Sequence, residues 1–102
     1  MPTIIMFQRH SAENCPMTNE KKKKMALEIM DKLPTLLKKH GIKNVGMWGV
    51  PPEHLNVIVY EAPSLDAFLK LQMEPEIMKW VAQNTTEIKI AMTLEESMKF
   101  LK

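Results

Sequence analysis

Hydrophobic and polar positions along this chain follow two periods, and the switches between them mark out the elements. From Thr3 to His10 the residues alternate in both registers, with Ile4, Met6, Gln8 and His10 on one face and Ile5, Phe7 and Arg9 on the other. Both faces start apolar, so the pattern predicts a strand buried on two sides that turns polar at its C-terminal end. Ser11 to Pro16 reads as loop. Thr18 or Asn19 then caps a helix whose buried stripe is Ala26, Ile29, Met30, Leu33, Leu36 and Leu37. Pro34 removes one backbone hydrogen bond and predicts a kink or a split near the last turns. Gly41 is a left-handed stop after Lys38, Lys39 and His40, which suit the negative end of the helix dipole.

Asn44 to Val50 predicts a second strand, and Pro51-Pro52-Glu53-His54 a connection, because two prolines do not fit a paired strand interior. Leu55 to Glu61 is the clearest strand: Leu55, Val57 and Val59 lie on one face, Asn56, Ile58 and Tyr60 on the other. Ser64 caps a second helix built on Leu65, Phe68 and Leu69. Glu74-Pro75 breaks it and restarts it with Ile77, Trp80 and Val81. Thr86 to Met92 is a fourth strand. Thr93-Leu94-Glu95-Glu96 is a capping box opening a short helix with Leu94, Met98 and Leu101 on one face.

The order β-α-β-β-α-β plus a tail helix is the ferredoxin-like α+β pattern, an antiparallel four-stranded sheet with both helices on one face. The first and third strands are apolar on both faces, so the uncovered face predicts a homodimer packed sheet to sheet. Together these features resemble the dimeric α+β barrel superfamily, including antibiotic-biosynthesis monooxygenases, muconolactone isomerases, haem-degrading relatives and small uncharacterised or nickel-binding families. The resemblance spans the chain at the level of element order. The Asn–Trp–His set of the haem-degrading branch does not transfer, since the second helix has no histidine. The resemblance implies a small-molecule cavity in which His10, Trp48, Tyr60 and the methionines take part.

Composition narrows the classes. The 102 residues make one domain, 1–102, with 45% hydrophobic and 25% charged residues, the balance of a globular chain rather than a disordered one. A net charge of +2 is too small to imply a nucleic-acid partner. No apolar run approaches a membrane span, no secretory leader pattern opens the sequence, and a single cysteine excludes an intrachain disulfide. The expectation is a cytoplasmic protein.

Chemistry concentrates where the first strand ends. In this topology the first two strands run parallel. The loop after strand one, the hairpin between strands two and three, and the loop before strand four therefore share one end. They carry His10, Glu13, Asn14, Cys15 and Met17; Trp48 and His54; and Gln83, Asn84 and Thr85. His40 belongs to the opposite end. His10, Cys15 and His54, with Met17 as a fourth, form a nitrogen and sulfur set suited to copper, zinc or nickel. Trp48, Tyr60 and Asn84 are candidate ligand-binding residues.

The same loop also admits plainer readings. Cys15 can be a small buried hydrophobe and His10 can hydrogen-bond a neighbour. His10 can be a general base, which the resemblance implies would be that of a cofactor-free monooxygenase or isomerase acting on a small apolar compound, or pair with Cys15 as a nucleophile. An assembly or regulatory module without chemistry predicts loop residues that point outward and do not converge. Lys21 to Lys24 is a solvated run, with Lys22 or Lys23 nearest the core edge.

Overall fold

The computed structural model describes residues 2–101. Four strands, β1 (Thr3–Arg9), β2 (Lys43–Val50), β3 (Leu55–Glu61) and β4 (Thr85–Ala91), form one sheet in the order β2-β3-β1-β4. Every neighbouring pair is antiparallel. Helices α1 (Glu20–Lys39), α2 (Leu65–Gln72) and α3 (Pro75–Val81) make the covering layer, and α4 (Leu94–Lys99) follows β4. This is the ferredoxin-like α+β fold.

The register assigns the two faces. Ile4 pairs with Tyr60, Met6 with Ile58 and Gln8 with Asn56, so these side chains point together toward the helices. Ile4, Met6, Ile58 and Tyr60 are buried there with Leu33 and Leu37 of α1, Phe68 and Leu71 of α2, and Ile77 of α3. Ile5 and Phe7 pair with Val59 and Val57 on the opposite face, where no helix covers them and they are half-buried. The double alternation in β1 and β3 thus marks a core on one side and an uncapped apolar surface on the other.

Local signals account for the ends. Asn19 accepts from the Lys22 backbone N–H at the start of α1, and Gly41 takes a positive φ of 68° after it. The Thr93–Glu96 capping box opens α4. One expectation is corrected. Pro34 does not split the first helix, which runs unbroken through it to Lys39. Pro34 is exposed, so the carbonyl it leaves without an N–H partner faces the solvent side, where water can satisfy it.

The first half of α1 is less closely packed than the second. Leu33 and Leu37 are buried, whereas Ala26 and Ile29 are half-buried and Met30 is 52% exposed. A cavity of about 390 Å³ occupies that space, between α1, the helix-side face of the sheet and α3.

Candidate metal centre and its cavity

The site begins where β1 stops. The His10 backbone N–H donates to the His54 carbonyl at 3.1 Å, which ties the end of β1 to the β2–β3 hairpin. After it, Ser11 caps a single 3-10 turn, Ala12–Asn14, by accepting from the Asn14 N–H. That turn delivers Cys15, whose carbonyl accepts from the N–H groups of Thr18 at 3.1 Å and Asn19 at 2.9 Å. Asn19 also donates from its side chain to the Glu13 carbonyl at 2.9 Å. Cys15 is therefore anchored by the start of α1, buried and not disulfide-bonded. On the other wall, Pro51–Glu53 form a 3-10 turn closed by His54, whose φ of 51° lies in the left-handed region. A histidine held there carries backbone strain that glycine would avoid.

The end of β1 and these two turns converge. One donor atom each from His10, Cys15 and His54 lies within 4.8 Å of the other two. The imidazoles meet edge to face, with centroids 5.2 Å apart. Nδ1 and Nε2 of His10 and Nδ1 of His54 are buried with no hydrogen-bond partner among the described residues. Each such orphan costs on the order of 1–3 kcal/mol in an interior. Burial, and then the neighbouring His54, hold the His10 pKa below the ordinary histidine value of 6.5. The neutral imidazole is the form that coordinates metals.

Tetrahedral coordination at about 2.0–2.3 Å places its donors roughly 3.5 Å apart. Closing this set around an ion therefore takes side-chain movements of about 1 Å, within reach of small torsional changes. No Asp or Glu belongs to the group, and Glu13 is exposed outside it. Met17 borders the cavity mouth but is 76% exposed, so three donors converge among the described residues, one short of a tetrahedral set.

The centre sits at one end of the 390 Å³ cavity, which Met6, Ile29, Leu33, Ile58 and Trp80 line with mostly apolar surface. Tyr60 also lines it, and burial pushes its hydroxyl up to about 12. Trp48 borders the mouth, but its strand register pairs it with Val57 on the uncovered face, and its indole lies where a Cβ on Gly46 would point. The third loop does not join the site. Asn84 donates from its side chain to the Trp80 carbonyl at 2.6 Å, and Gln83 bonds Lys22 and the Lys79 carbonyl. Neither residue lines the cavity.

The pair of buried Gln8 and half-buried Trp80 has no counterpart among the candidate residues of the sequence, although Gln8 shares the register of Met6 and His10. Trp80 Nε1 donates to Gln8 Oε1 at 3.2 Å across the cavity wall.

No family model and no curated protein matches this sequence. Among solved structures, the chain is similar to the crystal structure of an uncharacterized NIPSNAP domain protein from Burkholderia xenovorans. The TM-score is 0.62 at 10% sequence identity, over 91% of this chain and 94% of that one. The likeness is one of fold. It agrees with the ferredoxin-like architecture and leaves the family open. Among the described residues, no helix is long and apolar enough to cross a membrane.

Proposed function

We propose that this is a small ligand-binding protein that holds a transition-metal ion (copper, zinc or nickel) through His10, Cys15 and His54. The observation that carries the reading is the pair of adjacent imidazoles with buried, unpartnered nitrogens beside a buried thiol. Interiors rarely leave such groups unsatisfied. A metal ion engages one nitrogen of each imidazole together with the thiol, and two imidazoles with one thiolate suit borderline and soft cations. The convergence of these loops also disfavours a module without chemistry. Elemental analysis of metal-loaded protein tests the reading: one equivalent is expected in the wild type and none in His10→Ala or Cys15→Ser. Full metal content in either variant overturns this coordination.

A second reading rests on the cavity itself: a cofactor-free monooxygenase or isomerase acting on a small apolar compound, with His10 as base. It gains if no metal binds and turnover depends on His10.

The homodimer is part of the same proposal. The chain exposes 7115 Å², where a compact monomer of 11.8 kDa exposes about 5,900 Å². The excess of roughly 1,200 Å² exceeds the share of about 800 Å² that each partner contributes to a standard interface. In and just after α4, Leu94 is 83%, Phe100 79% and Leu101 78% exposed. The radius of gyration of 14.8 Å is likewise above the roughly 13 Å of a compact domain this long. Light scattering at micromolar concentration is expected to give twice the chain mass, and a monomer mass removes the dimer.

A further inference from the structure

The metal centre and the cavity are one continuous space, since His10, Cys15 and His54 all border the same apolar pocket. Its volume of about 390 Å³ lies in the range of small-molecule sites, about 300–1,000 Å³. No Asp, Glu, Lys or Arg lines it among the described residues. A divalent ion held by one thiolate and two neutral imidazoles carries a net charge of +1 in those apolar surroundings. An uncompensated charge is costly there, and the protein's own lining supplies no anion to balance it.

Gln8 adds a second selective feature. Its side-chain oxygen accepts from Trp80 Nε1, an N–H that can only donate. The buried carboxamide also carries an NH2 group, a donor it can offer a ligand. An anionic oxygen is the matching acceptor.

We propose that the open coordination position faces the cavity and receives the carboxylate of a small monocarboxylic acid whose apolar body fills the space beneath α1. The inference rests on the metal-binding reading above and names the class of ligand for that site. The carboxylate neutralises the centre, and the hydrocarbon displaces water from the surfaces of Met6, Ile29, Leu33 and Ile58. The half-exposed first half of α1, around Met30, is the side from which such a molecule enters.

The test uses zinc-loaded protein of measured zinc content, titrated calorimetrically with octanoate and with 1-octanol. Octanoate is expected to bind at least about tenfold more tightly than the alcohol, a difference of about 1.4 kcal/mol. That preference is expected to vanish in metal-free protein. Ala26→Phe, at a lining position outside the proposed ligand set, is expected to abolish octanoate binding at unchanged zinc stoichiometry. Met30→Trp at the exposed rim provides the same obstruction should Ala26→Phe fail to fold. Full zinc content with no octanoate binding, with equal binding of acid and alcohol, or with binding indifferent to both obstructions overturns this inference and leaves the metal site standing. Absence of zinc removes both, and the elemental analysis shows that before any titration.

Discussion

The two ends of the sheet each hold buried or half-buried histidine, and they treat it in opposite ways. At the C-terminal end of α1, His40 Nε2 lies 3.0 Å from Glu74 Oε1, and Lys39 Nζ reaches the same oxygen at 2.8 Å. Hydrogen bonds from Lys39 and then His40 hold the Glu74 carboxyl below its ordinary value. That histidine is satisfied by a carboxylate and ties α1 to the α2–α3 junction. At the other end, His10 and His54 have each other and Cys15 but no carboxylate. A histidine that serves the fold is partnered within the fold, whereas these two keep buried nitrogens without a partner among the described residues, the feature on which the proposed metal site rests.

Changes at each end sharpen that contrast. The largest effect is expected from His54→Gly, which removes a ligand and relieves the positive φ of 51°. Metal affinity should fall by more than about a hundredfold, or roughly 2.7 kcal/mol, while the melting temperature of metal-free protein does not drop. A fall in both would make His54 a structural residue like His40. His40→Ala should do the reverse, leaving metal stoichiometry at one and lowering the melting temperature.

A third expectation concerns acid. Glu74 is depressed in the folded state, so its contribution is present above its unfolded value near 4.5 and is lost as pH falls through the lower folded value. Melting curves should therefore decline below pH 4.5, and Glu74→Gln should flatten that limb. The smallest effect is expected for Lys39→Ala, whose side chain is 62% exposed. An exposed pair of this kind should move the melting temperature by no more than about 4 °C.

Much of this was legible before the structure, for physical reasons. Alternation on both faces of β1 and β3, the stop at Gly41, the Glu74-Pro75 break and the Thr93–Glu96 box are local signals, and each appears where the sequence places it. The approach of His10, Cys15 and His54 followed from topology, because parallel β1 and β2 send their loops to one end. Features set by tertiary detail were hidden. Nothing in Pro51-Pro52-Glu53-His54 announces a left-handed histidine, a conformation usually marked by glycine. The cavity lies beneath the first half of α1, whose stripe is only partly buried although it has the same period as the second half. Asn84 shares the predicted end of the sheet, but its side chain turns back to Trp80. Trp48 was readable in principle, since strict alternation puts it opposite Met47, its neighbour on the helix side.

X-ray absorption at the metal edge of the loaded protein tests the central claim most directly. One sulfur at about 2.3 Å and two imidazole nitrogens at about 2.0–2.1 Å are expected around the ion, with the sulfur lost in Cys15→Ser. A shell of oxygen and nitrogen alone in the wild type would contradict it.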